Sequence, residues 1–143
     1  MIRAIVTGGS GDIGKSICHA LARLNMYVFV HANIHKERAE QVVQDIISQG
    51  GKASLVCFDI ADQRATEETI ERLLEEGPIQ VLVNNAGIHD DAIFAGMKQE
   101  QWRGVIDVNL NGFFNVTRPI MLPMMQTRWG RVINLTSISG IMG

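Results

Sequence analysis

Short, almost wholly apolar segments alternate along this chain with segments whose apolar residues recur at helical spacing. The apolar segments cover residues 2–6, 27–31, 53–58, 81–83 and 131–135, and the helical ones cover 13–24, 36–49, 62–76 and 98–126. A strand with no polar face belongs in a parallel sheet that helices cover on both sides. We therefore predict one doubly wound α/β domain over residues 1–143, with strand order 3-2-1-4-5 because crossovers are right-handed. In such a sheet a ligand binds at the carboxyl ends of strands 1 and 4, where the order reverses.

The composition narrows the classes of partner. Hydrophobic residues make up 46% of the 143 residues and charged residues 20%, with a formal net charge of -2 and no basic run, so we expect neither nucleic acid nor a membrane surface as a partner. No apolar run approaches the roughly 20 residues of a membrane span. The N-terminus leads directly into a strand, so we expect a cytoplasmic protein. Cys18 and Cys57 lie in apolar segments and are expected to be thiols rather than a disulfide.

The glycine-rich turn at residues 7–16 satisfies two motifs at once. Gly9, Gly11 and Gly14 fit G-x-G-x-x-G between a strand and a helix, which brings a dinucleotide's diphosphate close to the backbone. Residues 9–16 also fit G-x-x-x-x-G-K-S, the phosphate loop of triphosphatases, in which Lys15 would reach the phosphates and Asp59 would be the metal-binding Asp. A glycine turn that binds nothing is the third alternative. The turn alone does not choose among them.

Motifs further along the chain favour the dinucleotide alternative. The tetrapeptide Asn-Asn-Ala-Gly at 84–87 ends the fourth strand, beside the first strand in the predicted order, where a triphosphatase gives it no role. With these motifs the whole chain resembles the short-chain dehydrogenase/reductase family, and within it the bacterial reductases of 3-oxoacyl groups on acyl carrier protein and the related acetoacetyl-CoA reductases. The family's order and spacing are matched by Thr7-Gly8, Ile13-Gly14, Asp59-Ile60, residues 84–87, Asn109 and Ser137.

The resemblance implies a set of cofactor-binding residues. Asp59 and Ile60 would contact the adenine, and residues 85–87 would pass beneath the ribose and nicotinamide. The full set that it implies is Gly8, Ser10, Gly11, Ile13, Asn33, Asp59, Ile60, Asn85, Ala86 and Gly87. One departure is Asp12, where the family usually has Gly or Ala. We expect its carboxylate to cap the first helix, since Asp accepts hydrogen bonds from helix amides.

The end of the second strand bears on the choice of dinucleotide. An acidic residue there binds the adenine-side ribose of NAD, whereas the 2′-phosphate of NADP requires its absence and a nearby cation. That position is Ala32, followed by Asn33, His35, Lys36 and Arg38, which favours NADP. The alternative is that Lys36 and Arg38 are simply solvated charges in the first turn of a helix.

The catalytic side chains that the resemblance implies are only partly present. Ser137 matches the family's Ser that hydrogen-bonds the substrate carbonyl, and Asn109 matches its Asn that anchors a proton-relay water. The family's Tyr-x-x-x-Lys pair would lie about a dozen residues past Ser137 on one helix face. The only tyrosine here is Tyr27, in the second strand, so we expect the domain to be C-terminally incomplete and residues 1–143 to be inactive alone.

These observations predict an NADPH-dependent reductase of 3-oxoacyl thioesters in fatty acid biosynthesis. The alternatives are an acetoacetyl-CoA or other carbonyl reductase and a non-catalytic dinucleotide-binding module. The resemblance implies a contact with acyl carrier protein at Arg128, beside Arg131. It also implies a homo-oligomer, either a dimer or a tetramer. In that oligomer, the helix that carries Met121, Met124 and Met125 would pack half in the core and half in the subunit interface. We expect no metal site, although His31 and His35 lie four residues apart.

Overall fold

A single parallel sheet of five strands forms the centre of the computed structural model, which describes residues 1–142. The strands are β1 (Arg3–Val6), β2 (Tyr27–Ala32), β3 (Lys52–Cys57), β4 (Val81–Asn84) and β5 (Arg131–Asn134). Their order is β3-β2-β1-β4-β5, and every neighbouring pair is parallel. The predicted fold class and strand order are confirmed.

Five α-helices connect the strands: α1 (Asp12–Arg23), α2 (Lys36–Ser48), α3 (Gln63–Glu75), α4 (Gln99–Ile106) and α5 (Gly112–Gln126). Local chemistry sets several of their ends. The carboxylate of Asp62 accepts a hydrogen bond from the Ala65 amide at 3.0 Å and caps α3, as the sequence predicts. Asn25 follows α1 with φ 58°, a left-handed conformation that Asn tolerates and that stops the helix.

The two faces of the sheet bury separate cores. Ala4 and Val6 of β1 face α1 and α2, whereas Ile5 between them faces α3 and α5. All three side chains are fully buried, as expected for a strand whose successive residues point to opposite covered faces. This packing fixes the carboxyl ends of β1 and β4 side by side, because both strands are covered on both faces.

The segment predicted as one helix over 98–126 contains an interruption. Between α4 and α5, residues Asp107–Asn111 form a π turn, and nothing in their sequence signals it. Along α5, Ile120 and Met124 are buried, whereas Phe114 and Met125 are exposed, so one side of the helix packs on the sheet and the other does not. No helix within residues 1–142 is long and apolar enough to cross a membrane.

Candidate dinucleotide-binding site

A cleft of about 580 Å³ opens at the carboxyl ends of β1, β2 and β4, at the point where the strand order reverses. Its size is typical of small-molecule and cofactor sites. All ten residues that the sequence predicts for cofactor binding line it: Gly8, Ser10, Gly11, Ile13, Asn33, Asp59, Ile60, Asn85, Ala86 and Gly87. The structure thus brings together segments from four different loops, and the individual contacts with a cofactor stay predictions.

The glycine turn places the N-terminus of α1 at the floor of this cleft. Gly8 has φ +64°, and its carbonyl oxygen accepts a hydrogen bond from the Gly11 amide at 3.1 Å. Gly11 is the N-cap of α1, since its own carbonyl accepts from the Lys15 amide at 2.7 Å. The amides of the first helical turn therefore have no partner within the helix. Together with the helix dipole they form a binding site for an anionic group such as a diphosphate.

The expected capping role of Asp12 is wrong. Gly11 occupies the N-cap position, and Asp12 is the first residue of the helix, where its side chain accepts no hydrogen bond from a helix amide in the described chain. An N-cap side chain accepts a hydrogen bond from the backbone amide of the second or third residue of the helix. A side chain at the first helical position is not placed to accept that bond. The carboxylate is exposed and lines the cleft. It therefore adds negative charge where a diphosphate would bind.

Hydrogen bonds between Thr7 and Asn85 join the two strand ends that border the cleft. The Thr7 hydroxyl oxygen accepts from the backbone amides of Asn85 and Ala86, each at 3.0 Å. In return, the side-chain amide of Asn85 donates to the carbonyl oxygens of Thr7 at 2.9 Å and Gly8 at 3.1 Å. These bonds fix residues 85–87 against the glycine turn, so the two sides of the cleft form one rigid unit.

His31 is a site residue to which sequence reasoning gives no role. It lines the cleft from β2 and is 2% exposed. Its Nδ1 accepts a hydrogen bond from the Gly8 amide at 3.1 Å, and its Nε2 lies 2.9 Å from the carbonyl oxygen of Phe58. Burial lowers the pKa of this imidazole to about 4. The sequence feature that could have indicated this role is one strongly polar residue, His31, in the otherwise apolar strand β2.

The predicted adenine side of the cleft is formed by the ends of β2 and β3. Ala32, 1% exposed, ends β2, and Asn33 and His35 line the cleft after it. The carboxylate of Asp59 accepts from the Ala61 amide at 2.9 Å, and its carbonyl accepts from the Thr66 hydroxyl at 3.1 Å. No group of three or more His, Cys, Asp or Glu side chains within 1–142 is arranged to hold a metal ion.

Asn109 lies in the π turn and holds the chain just after residues 85–87. Its side-chain oxygen accepts from the Ile88 amide at 2.8 Å, and its side-chain nitrogen donates to the Ile88 carbonyl at 2.9 Å. A Cβ placed on Gly87 would lie 3.4 Å from that oxygen, so Asn109 borders the nicotinamide end of the predicted cofactor path. The π turn is what brings this residue to the edge of the cleft, as such turns often do at functional sites.

Ser137 is not brought into contact with Asn109 in the structure. It follows β5 and is exposed, and it caps a short 3-10 turn over Ile138–Gly140. Its hydroxyl donates to the Ser139 hydroxyl at 3.0 Å and accepts from the Ser139 amide at 3.1 Å. Its predicted catalytic role stays a prediction. Tyr27 lies at the amino end of β2, away from the cleft at the carboxyl ends, and its ring packs against Phe29 with ring centroids 5.1 Å apart.

The geometry does not support the phosphate-loop alternative. The ammonium of Lys15 pairs with the carboxylate of Asp45 on α2 at 3.6 Å, away from the cleft. The Ser16 hydroxyl donates to the carbonyl of Asp12 at 3.0 Å, within its own helix. Both residues that a triphosphatase would direct at phosphate and metal therefore point elsewhere.

The fold defines a domain of the doubly wound, Rossmann-like class, with the cleft where ligands bind in that class. Residues 3–143 match the family model described as short chain dehydrogenase, and the chain belongs to that family.

Three curated relatives have similar sequences. Over 141 residues the chain is 41% identical to the 3-oxoacyl-[acyl-carrier-protein] reductase of Synechocystis sp. and 40% identical to that of Staphylococcus epidermidis. It is 38% identical over 144 residues to the acetoacetyl-CoA reductase of Acinetobacter sp.. Each match covers 98% of this chain, and the chain spans 57% to 58% of the length of these relatives.

Proposed function

We propose that the complete natural polypeptide is an NADPH-dependent reductase of 3-oxoacyl thioesters carried on acyl carrier protein, acting in fatty acid biosynthesis. The observation that carries this proposal is the cleft at the strand-order reversal, lined by the glycine turn and residues 85–87, in a chain 41% identical to a 3-oxoacyl-[acyl-carrier-protein] reductase. The acetoacetyl-CoA reductase relative favours a second candidate substrate, the same acyl group on coenzyme A. Residence in the cytoplasm stays a prediction.

The residues of the cleft fit a dinucleotide, and NADP rather than NAD. The unpartnered amides at the start of α1 suit a diphosphate. At the end of β2, Ala32 offers no carboxylate to a ribose 2′-hydroxyl, and a cation, Lys36, follows three residues after Asn33 as the first residue of α2. These features support NADP as the preferred cofactor.

The chemistry proposed for this chain's own residues is carbonyl polarisation. A bound NADPH supplies the hydride for ketone reduction, and charge then develops on the substrate oxygen. The hydroxyl of Ser137 is assigned to donate a hydrogen bond to that oxygen once it turns away from Ser139. Asn109 keeps the backbone of Ile88 fixed beside the site. Tyr27 is excluded as the proton donor because it lies at the amino end of β2, whereas the cleft lies at the carboxyl ends of the strands.

We propose two surfaces for partners. Arg128 and Arg131 are exposed beside β5, and the guanidinium of Arg131 stacks over the Trp129 ring at 5.1 Å, which gives a positive surface suited to an acidic carrier. The exposed apolar side of the α4 and α5 region supports assembly of a homo-oligomer, either a dimer or a tetramer. Its large members are Trp102, Leu110, Phe114, Leu122 and Met125.

The test is NADPH oxidation by the complete polypeptide with acetoacetyl-acyl carrier protein and with acetoacetyl-CoA. We expect reduction of both, at least about tenfold more efficiently with NADPH than with NADH, since a 2′-phosphate contact contributes on the order of 1.4 kcal/mol. Tight dinucleotide binding without turnover of any 3-oxoacyl thioester would instead support a non-catalytic binding module. Replacing Arg128 with Glu should raise KM more for the carrier-linked substrate than for the coenzyme A thioester.

A further inference from the structure

The imidazole of His31 connects two loops that border opposite sides of the cleft. The Gly8 amide belongs to the glycine turn after β1, and the Phe58 carbonyl belongs to the segment after β3. His31 lies on β2 between them, and its own carbonyl accepts a third hydrogen bond, from the Gly9 amide at 2.8 Å. From this arrangement we infer that His31 is a positioning residue that fixes the glycine turn for dinucleotide binding. This inference rests on the proposed dinucleotide function.

The two hydrogen bonds require one particular form of the imidazole. A backbone amide only donates, so Nδ1 must be the unprotonated acceptor for Gly8. A backbone carbonyl only accepts, so Nε2 must carry the hydrogen that is donated to Phe58. The ring is therefore neutral and in a single tautomer, and a protonated ring would direct an N–H at the Gly8 amide.

The surroundings of the ring keep it in that form. The ring packs against the side chain of Phe58 with centroids 4.3 Å apart, and on the β1 side its Nδ1 accepts from the uncharged backbone amide of Gly8. The charged group that acts on it is the carboxylate of Asp59, at the end of β3. Burial outweighs that attraction, since desolvation disfavours the charged ring.

The bond to Gly8 is the one that bears on cofactor affinity. Gly8 adopts a left-handed conformation, φ +64°, and its carbonyl receives the Gly11 amide that begins α1. Rotation of the Gly8 peptide would therefore displace the N-cap of the helix whose amides face the diphosphate. The bond to Phe58 holds a loop on the adenine side and does not reach the helix.

A matched pair of variants separates the two bonds. His31→Asn places a side-chain oxygen near the position of Nδ1 and keeps an acceptor for Gly8, whereas His31→Gln places its amide near Nε2 and keeps only the bond to Phe58. We expect Kd for NADPH to rise about tenfold in His31→Gln and less than about threefold in His31→Asn, because the part-buried Gly8 amide loses its acceptor only in His31→Gln. His19→Asn, on the outer side of α1, is the control.

The kinetic and thermal readouts separate positioning from a merely structural role. Each variant loses one hydrogen bond, so a structural role predicts similar losses of Tm and of affinity in both. Positioning predicts a rise in KM for NADPH in His31→Gln with a smaller change in kcat, and rescue by His31→Asn. Equal affinities in the two variants would overturn the inference. A wild-type protein that binds neither NADPH nor NADH would instead overturn the proposed function.

One measurement needs no variant. Nitrogen-15 NMR of the imidazoles in the wild-type protein should show His31 with an unprotonated Nδ1 and a protonated Nε2 at neutral pH. Addition of NADPH should leave this tautomer unchanged and shift both resonances. A ring protonated at Nδ1 would exclude the hydrogen bond from Gly8 and overturn the inference even if every His31 variant failed to fold.

Discussion

Gly14, in the first turn of α1, lies directly against the carbonyl oxygen of Gly8. A Cβ built on Gly14 would overlap that oxygen and lie 2.8 Å from the side-chain nitrogen of Asn85. Neither neighbour is free to move, since the Gly8 carbonyl and the Asn85 amide bond each other at 3.1 Å. The glycine at position 14 is therefore required for the helix to pack against the strand ends.

The same turn contains a glycine with room for a side chain. Gly11 has φ -78°, and a Cβ there would lie 3.5 Å from its nearest contact, the Gly8 carbonyl. We expect Gly14→Ala to lower the free energy of unfolding by about 3 kcal/mol, as overpacking against backbone does. Gly11→Ala should change it by less than about 1 kcal/mol. Urea denaturation of both variants checks this, and equal losses would contradict it.

Asp12 is expected to weaken cofactor binding. Its exposed carboxylate lines the cleft near the diphosphate position and caps no helix amide in the described chain. Asp12→Asn should therefore lower Kd for NADPH by about threefold at low salt, and the gain should shrink as salt screens the repulsion. Titration calorimetry at two salt concentrations is the measurement. Glu71→Gln, the same charge change on the exposed side of α3, should leave Kd unaltered at both.

Stability is expected to fall as the pH drops below neutrality because of His31. Its pKa is lowered from 6.5 to about 4 in the folded chain, so between these values the unfolded state binds a proton that the folded state does not. The free energy of unfolding contributed by this group is therefore fully present above pH 6.5, decreases through this window by up to about 3 kcal/mol, and levels off below it.

Denaturation of the wild type and of His31→Asn between pH 4 and 7 tests this expectation. The variant lacks the titrating group, so its stability should decline less steeply across the window. Identical slopes in the wild type and in His31→Asn would contradict the assignment.

The two free cysteines should react at very different rates. Cys18 is fully buried in α1, and burial raises the pKa of its thiol to about 12. Cys57 at the end of β3 is half-buried, and burial raises its pKa as well. Because the thiolate is the reactive form, we expect iodoacetamide to label Cys57 slowly and Cys18 only on unfolding. Mass spectrometry of digested protein, with and without urea, measures both rates, and equally fast native labelling would contradict the burial.

The sheet and its helices could be predicted closely because burial on both faces leaves an unambiguous pattern. The apolar runs predict all five strands to within one residue of their observed ends, including the run at 27–31 that contains His31. The helix starts depend on local chemistry that the sequence shows, such as the Asp62 cap. The π turn over Asp107–Asn111 was not predictable, since nothing in its own residues distinguishes it from a continuing α-helix.

The sequence predicted which residues line the candidate site, but it did not predict the hydrogen bonds among them. Motif spacing brings residues 8–13, 59–60 and 85–87 to one cleft, because carboxyl ends of parallel strands meet at one edge of a sheet. The role of His31 depends on which amide and carbonyl lie opposite its ring, which is a matter of strand register. The wrong capping role for Asp12 depended on a helix start that differs by one residue.

The number of residues in the π turn at 107–111 determines where the side chain of Asn109 lies. A π turn holds one residue more than an α turn, so loss of a single residue there would let the helix continue regularly with the faces of α4 and α5 in nearly the same relative orientation. The side-chain amide of Asn109 would leave the backbone of Ile88, although the buried side of α5 would keep its packing. In an alignment of relatives, a one-residue gap at this segment would therefore mark a change of function rather than a neutral difference in loop length.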